Sequence, residues 1–419
     1  SGGEEERMLQ GLMGSAIKVL TPHQIAGIIF GTRAFEATIL DLKGNDVILD
    51  EIHTYTEISR AIVIKMVEVL NRLNCRIHIG TATMPTDLYK QIIDILGEEN
   101  VFEVSLPETE LDKFDRHTIH KLNDWHDADA ILDDAIRANK KVLIVCNRVK
   151  SAQERYEYFS DKYPETPSLL IHSRFKRGDR NIKEKKLIGL DNLGKSISKF
   201  NTSDKACIAI ATQVVEVSLD ISFDLMITET APLDSLIQRF GRVNRKRTNE
   251  TIGKYKPVYL IPPPDDRKEA LPYDVDIIKS SFDVLPNGDL LRERGLQQKI
   301  DAVFPKVDVM SIETHSIFKN DGRIVLDYLT HRPKSYLLEL LEIDSVSCIL
   351  DVDIEEYQNS DFEERMMLEI PARYWQVKNF PQCEYGNRPY IVPSHSYCFD
   401  LGFDIDKARQ PFNENHNII

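Results

Sequence analysis

Apolar positions in the first hundred residues follow two rhythms. DVILDE (46–51) is a short apolar run with acids at its exit, whereas EISRAIVIKMVEVLNRL (57–73) repeats its apolar positions every three or four residues. The first pattern predicts a buried strand and the second an amphipathic helix. CRIHIGTATMP (75–85) predicts a strand entering a turn stopped by Pro85, and TDLYKQIIDILG (86–97) a helix with Gly97 past its end. AIKVLTP (16–22) reads as one more short strand, closed by Thr-Pro. Strands alternating with helices imply α/β architecture, with a parallel sheet covered on both faces.

Residues 101–128 are mixed and polar and read as a passage between domains. The alternation then resumes. Helical DADAILDDAIRANKK precedes the strand VLIVCN (142–147), and RVKSAQERYEYFSDKY is the following helix. Further strands are SLLIHSRF (168–175), ACIAIATQ (206–213), DLMITET (224–230) and VYLIPPP (258–264). PLDSLIQRFGRVNRKR begins as a helix and ends basic. From about 266 to 419 the pattern loosens into short helical patches with proline, tyrosine and acids. The chain therefore divides into a first domain over 1–110, a second over 111–265, and a linker with an accessory domain over 266–419.

Composition narrows the setting. A net charge of −14 argues against general binding of nucleic acid over the whole surface, but leaves room for a narrow basic track. The six cysteines form no CxxC pair, so a reducing, cytoplasmic interior fits better than a disulfide frame or a zinc knuckle. No apolar run reaches about 18 residues, which argues against a membrane span. The opening SGGEEERMLQ lacks the order of a secretory signal.

Five strings carry chemistry. In VILDEIH (47–53), Asp50 and Glu51 leave the sheet at its carboxyl edge, where α/β folds bind ligands. Such acids can hold Mg²⁺ beside triphosphate oxygens and polarise a water for in-line attack, or simply be solvated. Thr81-Ala82-Thr83 is a turn with two hydroxyls, either a link between domains or a helix cap. Arg174, Lys176, Arg177 and Arg180 follow a strand, as a phosphate contact or a wet charged face. In ATQVVEVSLDISFD (211–224), Thr212 can meet a single-strand phosphate. Asp220 can accept from a ribose hydroxyl or a water near a nucleotide. Glu216 and Ser218 share that loop. QRFGRVNRKR (238–247) spaces Arg242 and Arg245 three apart, on one side of a helix, with Gln238 a turn earlier. Two guanidinium groups on one face call for an anion such as a γ-phosphate, unless the helix is only a solvated basic one.

In this order the strings LTPHQ, VILDEIHTY, GTATMP, IVCNRVKSAQ, LLIHSRF, ATQVVEVSLDISFD and QRFGRVNRKR resemble superfamily 2 helicases. The resemblance is to the helicase part of the CRISPR-associated type I effector helicase-nuclease, over about residues 18–247. SHSYCFDLGFD resembles that family's end region. The resemblance implies two RecA-like domains, the first truncated at its N-terminus, and an ATP-dependent translocase on single-stranded DNA. It implies an Mg²⁺ and water-activating pair at Asp50 and Glu51, and coupling through His53, Thr81 and Thr83. It makes Arg242 and Arg245 arginine fingers beside Gln238. Thr21, Arg174 and Thr212 become contacts to single-stranded DNA. Its partners would be an RNA-guided type I surveillance complex and an HD nuclease domain or subunit.

Two departures shape the expectation. No GxxxxGK[ST] occurs in the chain, so the lysine and phosphate-cradling amides of that loop are missing. The chain then reads as part of a motor, inactive alone; a split gene, a proteolytic product, or a separate polypeptide that completes the fold would each explain the missing segment. His126-Asp127 is the one HD pair, and His117, His120 and His126 have few partners for a metal. A noncatalytic module binding DNA or the effector complex, and a DNA-repair or RNA helicase of the same superfamily, are the rival readings.

Overall fold

The computed structural model describes residues 17–20, 22–31, 35–50, 52, 57–81, 84–190, 195, 200, 203–216, 220–246, 248, 250–306, 310–313, 315–319, 321, 323–325 and 345–410. The chain forms two units, one from Ser1–Leu106 with Leu296–Ile343 and the other from Pro107–Gly295 with Asp344–Ile419.

In the first unit, β1 (Asp46–Asp50) pairs in parallel with β2 (Arg76–Gly80), from Asp46 opposite Arg76 to Asp50 opposite Gly80. Helices α1 (Pro22–Phe30), α2 (Phe35–Leu42), α3 (Glu57–Arg72) and α4 (Thr86–Leu96) accompany the pair. Val47 and Leu49 point into a core with Ile28, Phe30, Val63, Val67, Leu70, Leu88 and Ile92. The intervening Ile48 is 75% exposed, because no element of the described chain covers that face. Residues from beyond the second unit's sheet complete this core. Arg60, buried in α3, lies 3.9 Å from the Phe304 ring, and buried Lys65 reaches Glu313 at 2.8 Å. Thr86 donates from its amide and its hydroxyl to Asp301, both at 2.7 Å. The strand expected over 16–22 does not appear among its described residues. The described residues before Thr21 are irregular, and Pro22 opens α1, the position where a missing N–H costs nothing.

The second unit is built on a seven-stranded sheet. Its strands are β3 (His117–Lys121), β4 (Lys141–Val145), β5 (Ser168–Ile171), β6 (Cys207–Ala211), β7 (Leu225–Glu229), β8 (Lys256–Ile261) and β9 (Asp289–Leu291), in spatial order β5-β6-β4-β7-β8-β3-β9. All neighbours are parallel except β9, which runs antiparallel to β3. Every residue of β6 is buried, as a strand covered on both faces requires. Helices α5 (Trp125–Arg137), α6 (Val149–Lys162), α7 (Arg177–Ile188) and α8 (Leu233–Phe240) connect the strands. Asp124 starts α5 by accepting from the amides of His126 and Asp127.

The structure revises the domain limits. The passage expected over 101–128 contains β3, an inner strand of the second sheet. The single accessory domain expected over 266–419 is divided: β9 closes the second sheet, Leu296–Ile343 joins the first unit, and Asp344–Ile419 returns to the second. There β10 (Ser345–Leu350) lies between antiparallel β11 (Ile370–Arg373) and parallel β12 (Tyr390–Val392), followed by the hairpin β13 (Tyr397–Cys398) and β14 (Gly402–Phe403). Strands of two to six residues carry too little periodicity to be assigned to a sheet from sequence, and long-range contacts place them.

Candidate functional site

The acid strand ends as its pattern predicts. Buried Val47 and Leu49 anchor β1, and Asp50 is delivered exposed at its carboxyl end. Its neighbour across the ladder is Gly80, where a Cβ would stand 3.2 Å from Asp50 Oδ1. A side chain at position 80 would crowd the carboxylate, so the glycine leaves it room. Thr81 follows, half-buried. Glu51, His53, Thr83 and Thr21 lie outside the described residues. Among the described residues no group of three or more His, Cys, Asp or Glu side chains could hold a metal. His117, His120 and His126 form no such group. His117 sits in β3 with Nε2 3.0 Å from the Val243 carbonyl, His120 stacks on Tyr259, and Asp127 is engaged by Asn123.

In the second unit the strand exits converge on a loop. Beyond β6, Thr212 is buried and a short turn (Gln213–Val215) leads to Glu216. Arg242 grips this loop, donating from Nε to the Val215 carbonyl and from Nη2 to the Glu216 carbonyl, both at 2.6 Å. Arg245 is exposed and pairs with Asp220 at 3.1 Å, while its amide donates to Ser222 Oγ. The structure thus brings Arg245 and Asp220 together. Arg242 and Arg245 do not share a helix face. Helix α8 stops at Phe240, Val243 bridges to Phe223, and Asn244 takes a left-handed φ of 55°. The bonds from Phe223 N to Arg242 O and from Asn244 N to Phe223 O draw the chain alongside the entrance to β7. Arg242 is therefore turned inward and Arg245 outward. Gln238 remains on α8, half-buried.

The residue beside Gln238 went unnoticed in the sequence. Arg239 is fully buried and donates to Glu216 Oε1 at 2.8 Å, Thr228 Oγ1 at 3.0 Å, the Glu229 carbonyl at 3.1 Å, Asn147 Oδ1 at 3.0 Å and Tyr273 OH at 3.3 Å. It ties together the exits of β4 and β7, the loop after β6, and Tyr273. Burial raises the Glu216 pKa, with Arg239 opposing, and burial also raises that of Glu229, opposed by the Asn147 amide. A signal was present: Leu236, Arg239 and Phe240 are spaced i, i+3, i+4, which puts the arginine on the apolar face.

The basic group after β5 is largely neutralised within the chain. Lys176 pairs with Asp353 at 2.7 Å, Arg177 lies 3.8 Å from Glu369, and Arg180 pairs with Glu184 at 2.7 Å. Half-buried Arg174 alone among the four has no hydrogen bond or ion pair from its guanidinium to the described residues. Its pKa is lowered by burial and then by Arg373, with Asp404 and Asp406 opposing. Two residues earlier, His172 is wedged between β5 and the C-terminal hairpin. The Arg174 amide donates to its Nδ1 at 3.1 Å, so Nε2 carries the proton and donates to the Leu401 carbonyl at 2.9 Å. Burial holds its pKa down to about 3. The folded state disfavours protonated His172, so its stability is full above the ordinary histidine range and falls as pH drops from about 6.5 toward 3. From that shift, parent stability should fall by on the order of 4 kcal/mol more than that of His172→Gln across the window. Urea unfolding at a series of pH values checks this, and equal slopes for parent and variant would discount the ring.

Two parallel-sheet units, an acid at one strand exit and arginines past a late helix define an α/β helicase-type chain. Residues 138–248 match the family described as CRISPR-associated nuclease/helicase Cas3, C-terminal. Over that span, and in the relatives and folds that follow, the chain is similar to the helicase part of Cas3 proteins. A CRISPR-associated nuclease/helicase Cas3 of Methanothermobacter thermautotrophicus is 28% identical over 341 residues, 76% of this chain and 38% of that protein. A CRISPR-associated endonuclease/helicase Cas3 of Escherichia coli K12 is 39% identical over 124 residues, 29% of this chain and 13% of that protein. The crystal structure of T. fusca Cas3 with ADP superposes with a TM-score of 0.65 at 17% identity, covering 88% of this chain and 53% of that one. The chain spans between 38% and 55% of the length of the first curated relatives it matches. Among the described residues no helix is long and apolar enough to cross a membrane.

Proposed function

We propose that this chain is the helicase part of an ATP-driven, single-stranded-DNA translocase of CRISPR interference, working in the cytoplasm. One observation carries the reading: the Cas3 match over 138–248 contains Arg174, Thr212, Asp220, Gln238, Arg242 and Arg245 together. Similar folds have been solved with ADP, AMPPNP and ATP, and one sits in an RNA-guided surveillance complex titled pre-nicking. In this reading Asp50 and Glu51 hold Mg²⁺, which neutralises triphosphate charge, and Glu51 orients the attacking water. His53, Thr81 and Thr83 couple nucleotide state to movement. Arg245, beside Asp220, neutralises the transferring phosphoryl group, and Arg242 with Gln238 supports it. Thr21, Arg174 and Thr212 follow the DNA backbone. An RNA-guided type I surveillance complex delivers the strand, and an HD nuclease domain or subunit cuts it.

Phosphate cradling needs a loop that these 419 residues do not contain. In the proposal a further segment carrying GxxxxGK[ST] completes the first sheet. Exposed Ile48, at the middle of a parallel strand, is the kind of apolar position such a segment covers. The chain alone should therefore release no phosphate steadily from ATP and Mg²⁺, even with single-stranded DNA. Adding a polypeptide with the missing strand, loop and helix should start release. DNA-stimulated turnover by the chain alone, abolished in Glu51→Gln, would overturn the need for a partner. Stimulation by RNA and not DNA would select the general helicase reading.

A further inference from the structure

Helix α4 begins without a capping side chain of its own. Its N-cap position is Pro85, and no side-chain cap bond forms there. The first amides of a helix need partners, and Ser, Thr, Asp or Asn at the cap position ordinarily supplies one. Here the acceptor comes from far along the chain. Residues Leu296–Val303 form a helix, α9, that belongs to the first unit. Asp301 accepts from the Thr86 amide on Oδ1 and from the Thr86 hydroxyl on Oδ2. A carboxylate at a helix N-terminus also meets the favourable end of the dipole. One turn earlier, Gln297 Nε2 donates to the Met84 carbonyl at 2.8 Å and to Asp301 Oδ1 at 3.1 Å. The i, i+4 spacing puts both side chains on one side of α9, while Leu296, Ile300 and Val303 are buried.

Capping alone needs only the bond to the Thr86 amide. The bond from Gln297 to Met84 lies outside α4 and holds the chain before Pro85. Residues 84 and 86 are therefore both fixed to α9, as Gly80 is fixed opposite Asp50 in the β1–β2 ladder. Thr81 and Thr83 fall in the sequence between these two anchors. The segment that α9 leads into is itself built into the first unit. Ile312, Ile317 and Phe318 share its core, and the Ile317 amide donates to the Ile29 carbonyl at 2.8 Å. At its other end the chain comes from the second unit's sheet: β9 ends at Leu291, the Glu293 amide donates to Asp115 Oδ1 at 2.8 Å, and α9 starts at Leu296.

We propose that Gln297 and Asp301 are positioning residues for the coupling turn. In this role α9 sets where Thr81 and Thr83 stand, and joins the span leaving the second unit's sheet to the strand exits that carry Asp50 and Gly80. A packed helix passes a small displacement on rather than absorbing it. The inference rests on the reading of Thr81 and Thr83 as residues that couple nucleotide state to movement.

The test uses the motor completed with its phosphate-cradling segment, and reads phosphate release together with displacement of a labelled strand from a partial duplex. Gln297→Ala should lower the strands displaced per ATP hydrolysed by roughly 5- to 10-fold, as for residues along a coupling path, with KM for ATP and DNA-free hydrolysis within about 2-fold of the parent. Gln297 is exposed, so its melting midpoint should hardly move. Asp301→Leu should show the same loss. Asp301→Asn should restore the ratio, because its amide oxygen can accept from the Thr86 amide while its NH₂ donates to the Thr86 hydroxyl. A purely structural role would lower the midpoint and leave the ratio of the folded enzyme unchanged. If Asp301→Leu does not fold, Gln297→Ala decides alone. If Thr81→Val lowers the ratio while Gln297→Ala and Asp301→Leu keep it at the parent value, this inference falls and the coupling reading of the turn stands. If Thr81→Val is also parent-like, or the completed parent shows no DNA-stimulated release, both fall.

Discussion

Arg239→Met should destabilise the second unit by about 3–5 kcal/mol, the cost of removing one partner from a buried ion pair. The argument rests on what the substitution leaves behind. Five hydrogen bonds converge on this guanidinium group, from Glu216, Thr228, the Glu229 carbonyl, Asn147 and Tyr273. Methionine fills the volume of the stem but offers none of them a donor. Glu216 then keeps its burial and loses the charge that opposes it. Its pKa, already raised by burial, should climb further. A carboxyl raised in the folded state binds its proton more readily folded than unfolded. The loss should therefore be greater near pH 8 than near pH 5, where Glu216 can take up a proton. Adding Glu216→Gln should recover part of the loss at the higher pH, because the orphaned charge is gone. Both tryptophans, Trp125 and Trp375, belong to the second unit, so their fluorescence during denaturant unfolding reports on it directly. A loss below 1 kcal/mol at both pH values would show that the network is not holding the strand exits together.

Arg245→Ala, in the motor completed with its phosphate-cradling segment, should lower DNA-stimulated phosphate release by on the order of 100-fold or more, as for loss of a positioned transition-state donor. Its unfolding midpoint should hardly move. Among the described residues the Arg245 guanidinium pairs with exposed Asp220 alone, and surface pairs of this kind contribute about 0–1 kcal/mol. Arg242→Ala should behave differently. It removes two 2.6 Å bonds to the buried-side carbonyls of Val215 and Glu216, so stability should fall by about 2 kcal/mol together with activity. Phosphate release and denaturant midpoints measured on both variants separate the two roles. Parent-like turnover in Arg245→Ala would end its assignment as the charge-neutralising arginine. A stable but inactive Arg242→Ala would return that residue to the nucleotide.

The elements with strong periodicity were legible in the sequence. DVILD, the helix over 57–72, and the buried strands at 141–145, 207–211 and 225–229 sit within a residue or two of their expected limits. Each is determined by a local pattern: continuous apolar side chains bury on two faces, and three-to-four spacing buries one. The strand-end chemistry follows, since a buried strand must release its next polar residue at its edge, as with Asp50. β3 was hidden because HTIHK looks polar, yet His117 and His120 find partners in Val243 and Tyr259 that are more than a hundred residues away.

What only the tertiary structure decided concerns charge. Composition could count arginines but not say which face a carboxylate. The series QRFGRVNR displays three arginines, and the fold gives each a different environment: Arg239 sealed among side-chain and backbone acceptors, Arg242 turned onto carbonyls, Arg245 left at the surface with Asp220. The group RFKRGDR likewise offers four cations, of which long-range partners claim Lys176 and Arg177, a helical neighbour claims Arg180, and Arg174 is left without an ion pair among the described residues. The physical reason is range. Hydrophobic periodicity is written within one turn or one strand, whereas a buried charge is satisfied by groups brought from strands and loops far along the chain.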